Sequence, residues 1–444
     1  MDVFFEQYKP ASSIANYLTT GGKHKDTQTL GLELEHFVVV RESLSAVPYC
    51  VGAGSPAPSV EKVLERIKPH YCRSTYEEDS NGNRHLFALS REKVVITLEP
   101  GAQLEISIGP ALSIQEIQEL YTAFRNQIEL ILDEMGLQLL ELGYHPTSQA
   151  KDIPLIPKQR YQYMNEYFSE TGNHGICMMR ATASTQISVD YESEADAITK
   201  FCIANALGPL FAFITDNAPV FEGNRVGSLG GQEPVAQSGL AIPKSMARMT
   251  CWDDTDPKRC LVTKGAFDDE FSFLKYAEVL TESPGIFLPA KEGSEHRAHY
   301  LGFTSFDQVL PNEFLDEQMI LHILSLFFFD TRFKTYLELR QADSLPLEYA
   351  LAYAALISGI FYNPQALRYY SERFLYTDAT SVAFAKSALR SNGFAAVVYG
   401  RSAAEWLDEM IEFATEGLSA NDAPYLAPLA KLVAERKTPL EVLH

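Results

Sequence analysis

The feature that most constrains the fold is a set of four segments in which apolar and polar residues alternate. Side chains two residues apart on a β-strand point to the same face of a sheet. Each segment therefore predicts a strand with one apolar face and one polar face. The polar faces carry acids, amides and an arginine but no lysine: Glu33 and Glu35 in 31–40, Gln103, Glu105 and Ser107 in 98–109, Gln186, Ser188 and Asp190 in 184–191, and Tyr336, Glu338 and Arg340 in 336–340.

Taken alone, each strand also fits an ordinary half-exposed strand with a solvated polar face. Four faces with the same chemistry favour one shared site instead. If the strands pair into one sheet, five carboxylates converge, and close like charges must be protonated or neutralised by cations. Mg²⁺ prefers carboxylate oxygens and leaves positions open for phosphate, so the pattern predicts a magnesium site and phosphoryl transfer. The five residues are Glu33, Glu35, Glu99, Glu105 and Glu338.

The segment 330–346 supplies cations beside the last of these strands. Arg340 shares a face with Glu338, and its planar guanidinium suits two contacts with a γ-phosphate. Arg332 and Lys334 are either further phosphate ligands or a solvated pair. The sequence contains no Walker glycine loop, no Gly-x-Gly-x-x-Gly, no His-Glu-x-x-His and no Gly-x-Ser-x-Gly. The phosphates of a nucleotide would therefore have to be held by metal ions bound to carboxylates and not by a glycine-rich loop.

The rest of the chain predicts an α+β fold. Helical stretches at 113–135 and 194–215 separate the strand segments by long intervals, which favours a sheet assembled from distant hairpins. The Gly- and Pro-rich segment 222–243 predicts a long loop. We therefore predict a catalytic α+β sheet region over 1–345 and a mostly helical C-terminal region over 346–444, packed on the same domain.

Charge and cysteine content limit the partners. The formal net charge is -21, with 58 acidic and 37 basic residues, which disfavours nucleic acid and anionic membranes. The start MDVFFEQYKP lacks a secretory pattern, and apolar runs such as 319–329 are too short to span a membrane. Six cysteines without a Cys-x-x-Cys pair fit a reducing compartment. We expect a cytoplasmic protein that binds neither nucleic acid nor membrane.

Five blocks of sequence resemble the plant-type glutamate-cysteine ligases and their bacterial relatives. They lie in the same order over residues 30–346, and the blocks with Glu-Pro-Gly-x-Gln and Tyr-Leu-Glu-x-Arg-x-Ala-Asp are the more specific. The blocks are LGLELEHF (30–37), LEPGAQLEIS (98–107), MMRATASTQISVDYESEAD (178–196), RMTCWDDTDPKR (248–259) and TRFKTYLELRQADSLP (331–346).

The resemblance implies a curved antiparallel β-sheet funnel like that of glutamine synthetase, flanked by helices. ATP and two or three Mg²⁺ ions, replaceable by Mn²⁺, would lie at one end and amino acids at the other. By matching motif, the five glutamates would be metal ligands. Gln186, Arg332, Lys334 and Arg340 would contact nucleotide or metal, with Arg340 on the γ-phosphate. The expected substrate-binding residues are Arg248, Trp252, Arg259 and Arg180.

The function implied is ATP- and Mg²⁺-dependent ligation of the γ-carboxylate of L-glutamate to the amine of L-cysteine through a γ-glutamyl phosphate. This is the first step of glutathione synthesis. The segment 341–346 departs from plant enzymes, which have glycines around the same Ala-Asp pair. A ligase with another acceptor amine therefore stays open, as does a non-catalytic protein that binds metal or nucleotide. A monomer and a homodimer are both compatible with the sequence.

Overall fold

The computed structural model describes residues 10–52, 54–79, 81–227, 235–290, 298–311 and 313–444. The strands are β1 (Leu30–Val40), β2 (Arg73–Glu78), β3 (Arg84–Arg91), β4 (Val94–Leu98), β5 (Leu104–Ala111), β6 (Leu137–Leu140), β7 (Ser184–Val189), β8 (Val220–Phe221), β9 (Asn224–Arg225), β10 (Pro284–Leu288), β11 (His299–Ser305), β12 (Thr331–Phe333), β13 (Leu337–Asp343), β14 (Val397–Val398) and β15 (Arg401–Ser402). The α-helices are α1 (Pro10–Thr19), α2 (Val60–Ile67), α3 (Ile114–Met135), α4 (Gln159–Phe168), α5 (Gly175–Ala181), α6 (Glu194–Ile214), α7 (Ala247–Asp253), α8 (Phe273–Glu282), α9 (Phe306–Val309), α10 (Glu317–Leu324), α11 (Leu347–Phe361), α12 (Pro364–Arg373), α13 (Ala379–Asn392), α14 (Ala403–Gly417), α15 (Ala427–Glu435) and α16 (Pro439–Leu443).

The main sheet has the strand order β12-β13-β7-β1-β5-β4-β3-β2, with β6 paired to the second half of β1. Every neighbouring pair in it is antiparallel. The α+β class and the antiparallel sheet predicted from the sequence are therefore confirmed. Strands that are distant in sequence, β1, β7 and β13, lie side by side at its centre, as the long helical intervals between them predict.

The alternation in sequence sorts side chains between the two faces of the sheet. Leu32 and Leu34 of β1 are fully buried on the core face, and Glu33 and Glu35 stand on the opposite face. The register places Glu35 directly across from Glu105 of β5. Burying each leucine contributes about 1.5–3 kcal/mol, so a one-residue slip that moved the leucines to the polar face and the acids into the apolar core is strongly disfavoured.

Helix α6 is the central helix behind the sheet and contacts β12 and β13. It begins at the N-cap Ser193, whose hydroxyl accepts a hydrogen bond from the backbone N–H of Asp196. The helix is long and apolar enough to cross a bilayer, and 83% of its apolar stretch is buried inside the protein. A buried core helix passes the same test of length and composition.

The helices after residue 346 pack against the same core. Helix α11 contacts β1, β7 and α14. At its crossing with α14, a Cβ on Gly359 would lie 2.4 Å from the carbonyl oxygen of Ala414, so a glycine is required for this close approach. The predicted loop 222–243 begins within the β8–β9 hairpin, and its residues 228–234 lie outside the described part of the chain. The division of the chain at residue 345 stays a prediction.

Candidate active site

The polar face of the central strands forms the floor of a cavity of about 320 Å³. Most of the residues predicted for the site reach it. Further lining residues come from α4, α5 and the segment before β12. The lining comprises Glu33, Glu35, Glu99, Pro100, Gln103, Glu105, Ser107, Arg160, Tyr161, Met164, Met178, Met179, Thr182, Gln186, Trp252, Ser325, Phe328, Arg332, Lys334 and Arg340.

Three carboxylates form a tight cluster on the cavity floor. Glu35, Glu99 and Glu105 each place one oxygen so that all three oxygens lie within 4.8 Å of one another. Glu99 comes from the turn between β4 and β5, where the backbone N–H of Ala102 bonds the Glu99 carbonyl at 2.9 Å. A Cβ on Gly101 would lie 2.4 Å from the Arg180 carbonyl oxygen, so the turn needs glycine there.

Hydrogen bonds hold two of these carboxylates in place. Glu35 accepts from the backbone N–H and the hydroxyl of Ser184, both at 2.8 Å, and from Gln186 Nε2 at 3.0 Å. Glu105 accepts from Thr97 at 2.6 Å and from Ser107 at 3.1 Å. The donors come from the neighbouring strands β4 and β7 and from β5 itself, so the sheet itself fixes the geometry of the cluster.

Burial and mutual repulsion disfavour the ionised forms of these acids. Burial, together with the nearby charges of Glu105 and Glu35, raises the pKa of Glu99 to about 8. Burial likewise raises the pKa of Glu33 to about 7, against the favourable charge of Lys334. A hard divalent cation would reverse this penalty, and carboxylate oxygens are the ligands that Mg²⁺ and Mn²⁺ prefer. The donor set therefore fits such an ion.

A second charged group lies beside the cluster, where Glu338 of β13 meets three cations. Arg332 approaches one carboxylate oxygen at 2.7 Å through Nε and 2.6 Å through Nη2, and Arg340 Nη1 donates to it at 3.0 Å. Lys334 Nζ lies 2.7 Å from the other oxygen. Burial alone would raise the pKa of Glu338, but the three cations outweigh burial and hold it well below its usual range. One carboxylate thus gathers three positive charges at the cavity.

Glu33 and Gln186 join the two groups. They face each other across β1 and β7. Lys334 Nζ lies 4.0 Å from Glu33, and the guanidinium of Arg340 donates a short hydrogen bond to Gln186 Oε1. Gln186 therefore contacts the Glu35 carboxylate through its NH₂ group and the Arg340 guanidinium through its oxygen.

Glu33 and Ser107 also line a second cavity of about 320 Å³ on the same face of the sheet. Small residues shape this cavity: a Cβ on Gly31 would lie 3.2 Å from the Cβ of Ser188. Its other lining residues are Lys23, Thr29, Leu30, Gly31, Leu32, Val95, Ile108, Gly109, Pro110, Ser188, Asp190, Thr335 and Tyr336. The two cavities lie beside the charged groups, and Glu33 and Ser107 form a wall that both cavities share.

The remaining wall of the first cavity is aromatic and apolar. The Trp252 ring packs 5.7 Å from Phe328, and the Arg340 guanidinium lies 5.8 Å from Trp252. The Trp252 Nε1–H is buried and has no hydrogen-bond partner among the described residues. Arg160 of α4 lines the same cavity and donates to the hydroxyl and carbonyl oxygens of Ser325 at 2.9 and 2.7 Å. Sequence reasoning missed Arg160, which belongs to no carboxylate strand.

Three arginines predicted to hold substrate carboxylates do not line either cavity. Arg248 is 2% exposed and donates to the backbone carbonyls of β13. Arg259 is fully buried, and it donates to the Leu326 carbonyl and lies 3.3 Å from Asp256. Arg180 donates to the Ile153 carbonyl and to Asn165. Each guanidinium donates to protein oxygens, while Arg259 Nε and Nη2 have no hydrogen-bond partner among the described residues. The predicted contact of these three arginines with substrate carboxylates stays a prediction, and the cavity linings do not support it.

A carboxylate cluster beside three cations, on one face of an antiparallel sheet, could hold a divalent cation next to an anionic ligand. The chain belongs to glutamate-cysteine ligase family 2, whose sequence pattern matches residues 29–439. The protein is therefore a ligase enzyme.

Individual relatives agree with this family. The chain is 27% identical to the chloroplastic glutamate-cysteine ligase of Medicago truncatula over 448 aligned positions, which cover 97% of this chain and 80% of the relative. It is 29% identical to that of Arabidopsis thaliana over 358 positions, covering 79% and 63%. Among solved structures, the complex between prokaryotic ubiquitin-like protein Pup and its ligase PafA contains a chain that aligns with 92% of this chain and 64% of its own length, with 9% identity and a TM-score of 0.37.

These comparisons correct one expectation. The named relatives are chloroplastic proteins, including those of Nicotiana tabacum and Solanum lycopersicum, which contradicts the cytoplasmic location expected from the sequence. The expectation was wrong because it rested on the spacing of cysteines and on ten N-terminal residues. Neither feature identifies a compartment.

Proposed function

We propose that this ligase uses ATP and Mg²⁺ to convert the γ-carboxylate of L-glutamate into γ-glutamyl phosphate and then joins it to the amine of L-cysteine. The observation that carries the proposal is the Glu35–Glu99–Glu105 cluster lying in one cavity with the cations gathered by Glu338. Family membership supports the same reaction.

The carboxylate cluster is the metal site in this proposal. Glu35, Glu99 and Glu105, with Glu33 beside them, would hold two or three Mg²⁺ or Mn²⁺ ions. Bound metal supplies neutralisation of the phosphate oxygens. Glu338 differs from these four because cations already occupy both of its oxygens. It becomes a metal ligand only if one of its cations moves onto a phosphate.

The nucleotide would lie across both cavities. The second cavity has room and small-residue walls for a nucleoside, and it meets the charged groups at Glu33. The phosphates would then face Arg332, Lys334 and Arg340. Because Gln186 and Glu338 fix the Arg340 guanidinium, its planar fork is pre-organised for charge that develops on the transferred phosphoryl group.

The amino acids would occupy the aromatic end of the first cavity. Arg160 is held by Ser325 and offers its charge to a substrate carboxylate. The free Trp252 N–H offers a donor. Met164, Met178 and Met179 provide a polarizable apolar wall suited to a thiol side chain.

In the proposed reaction, a γ-carboxylate oxygen attacks the γ-phosphorus of ATP. The bond from that phosphorus to the β–γ bridging oxygen breaks, and ADP leaves with the electron pair. The amine nitrogen then attacks the acyl carbon, phosphate leaves and the amine loses a proton. Arg340 stabilises the charge on the transferred group, and the cavity walls hold donor and acceptor in register.

Oxygen-18 in the γ-carboxylate of glutamate tests the acyl phosphate. One labelled oxygen should appear in inorganic phosphate for each peptide bond formed, because it becomes the bridging oxygen of the intermediate. Label that stays wholly in the amino-acid product would contradict activation by phosphoryl transfer. Label transfer with an amine other than cysteine would keep the chemistry and change the acceptor.

A further inference from the structure

Helix α13 of the C-terminal region carries a buried lysine that joins two segments of the active site. Lys386 is 3% exposed, and its Nζ lies 2.7 Å from Asp253 Oδ1 and 2.6 Å from Asp330 Oδ2. Arg390, one turn further along the helix, makes a close ion pair with the other oxygen of Asp253. Two cations of α13 thus meet two carboxylates from outside the C-terminal region.

Both carboxylates are direct neighbours of cavity residues. Asp253 follows Trp252, which lines the cavity. Asp330 lies two residues after Phe328 and two before Arg332, which also line it. The Asp330 carbonyl oxygen accepts the backbone N–H of Arg340 at 3.0 Å. The Lys386 ion pairs are therefore connected through the backbone to Trp252 and Phe328, which form the aromatic wall, and through the Asp330 carbonyl to β13, which carries Arg340.

The described residues that line the two cavities include none from α13. Lys386 consequently acts only through the segments that it holds. Burial alone would favour its neutral amine, but Asp253 and Asp330 raise the pKa of Lys386, so the ammonium is retained. A buried charged contact of this kind fixes the distance between α7 and the start of β12, because one ammonium lies within 2.7 Å of both carboxylates and moving either carboxylate away would leave a buried charge without its partner.

We propose that Lys386 is a positioning residue of the active site: it links Asp253 to Asp330 and thereby sets the spacing of Trp252, Phe328 and Arg340. The kinetic part of this inference rests on the proposed ATP-dependent reaction, and the placement of Trp252 does not. Small displacements of aligned groups lower turnover about 10- to 100-fold.

The test compares Lys386→Met with the double variant Lys386→Met/Asp330→Asn. In the double variant Asp253 keeps Arg390 and no charge of Asp330 is left unpaired, so folding should be recovered. Lys431→Met, an exposed lysine of α15, is the matched control. Because the chain has two tryptophans, Trp406→Phe makes Trp252 the sole tryptophan in every protein compared, and excitation at a wavelength that tyrosine does not absorb selects its fluorescence.

We expect the double variant to have the melting temperature of the parent. It should release ADP about 10- to 100-fold more slowly at saturating substrates. Acrylamide should quench its Trp252 fluorescence more strongly than in the parent. Lys431→Met should match the parent in melting temperature, in the rate of ADP release and in acrylamide quenching. Parental quenching and parental turnover in a folded double variant would overturn the proposal. Failure of both Lys386 variants to fold would also overturn the proposal, because it would show that the ion pairs of Lys386 with Asp253 and Asp330 serve only the stability of the fold. If the parent itself releases no ADP, the proposed function fails and the quenching comparison still tests the placement.

Discussion

Glu338 and Arg332 face each other on β13 and β12, and the guanidinium contacts one carboxylate oxygen through two nitrogens, at 2.7 and 2.6 Å. Glu338 is fully buried, so this pair is not screened by solvent. The same carboxylate also holds Lys334 and Arg340. Three cations of the cavity therefore depend on one acid.

Replacing that acid by its amide should affect stability and turnover together. Glu338→Gln keeps the shape but removes the buried negative charge that Arg332, Lys334 and Arg340 share, which should lower the free energy of unfolding by about 3–5 kcal/mol. Urea unfolding measures this loss, and ADP release should also fall steeply. Glu416→Gln, on an exposed position of α14, is the control. An unchanged unfolding midpoint for Glu338→Gln would contradict the role given to this carboxylate.

The carboxylate cluster should make stability depend on pH and on metal. Glu99 and Glu33 have pKa values raised from 4.5 to about 8 and about 7 in the folded protein. A raised folded pKa means that the folded state binds more protons than the unfolded state between these values. The stability contributed by these protons is fully present below pH about 4.5 and is lost as pH rises to about 8.

Metal should restore that lost stability. Because Mg²⁺ binds the ionised carboxylates, the rise in melting temperature on adding Mg²⁺ to the chelator-treated protein should be larger at pH about 8 than at pH about 6. Glu105→Gln should remove most of this effect. An equal rise at both pH values, or an unchanged rise in the variant, would place the metal elsewhere.

Arg340→Lys should reduce turnover without unfolding the protein. A lysine keeps the charge but cannot contact Gln186, Glu338 and a phosphate with one planar group. Loss of one pre-organised donor to developing charge costs about 100- to 1,000-fold in turnover. The rate of ADP release at saturating ATP measures this, with Arg368→Lys on the exposed face of α12 as the control. Near-parental turnover in Arg340→Lys would remove this residue from the phosphoryl site.

Arg160→Gln should raise the KM for an amino-acid substrate and leave the KM for ATP unchanged. The guanidinium reaches the aromatic end of the cavity, away from the second cavity. Losing one charge-assisted contact corresponds to about 1.5–3 kcal/mol, or roughly 10- to 150-fold in KM. Kinetics with each substrate varied in turn check this. An increase confined to the KM for ATP would move Arg160 to the nucleotide end.

Arg259→Met, unlike Arg160→Gln, should lower the stability of the protein and leave its KM values unchanged. This guanidinium is fully buried and its loss leaves Asp256, 3% exposed, without its ion pair. We expect a loss of about 3–5 kcal/mol in the free energy of unfolding. At a temperature where the variant stays folded, its KM values should match the parent. A stable variant with a raised KM for one amino acid would return Arg259 to the substrate site.

The strand faces were predictable because alternation is a local property. Glu33, Glu35, Glu105 and Gln186 fall on one face of the sheet as their spacing in sequence indicates, and the register of β1 with β5 and β7 brings them together. Such features need no knowledge of how distant segments pack. The sequence predicts one strand over 98–109, whereas residues 99–103 form the turn between β4 and β5, so Glu99 reaches the cluster from a turn.

The other residues depend on tertiary packing. Arg160 reaches the cavity because α4 packs against α5, which also lines it, and because Ser325 fixes the Arg160 side chain. Arg248 and Arg259 flank Trp252 in sequence, yet they point to backbone carbonyls while the tryptophan lines the cavity. A motif gives the order of residues along a short helix, and the direction in which each long side chain extends is decided by the neighbours it meets.

ADP release with Mg²⁺, ATP and L-glutamate tests the proposed ligase activity itself. The assay compares L-cysteine with other amino acids and amines, and mass spectrometry identifies the product. We expect ADP release that requires both amino acids, and a product with the mass of γ-glutamylcysteine. Absence of ADP release with every pair, despite a folded protein that binds Mg²⁺, would contradict the proposed ligase activity and favour a non-catalytic metal- or nucleotide-binding protein.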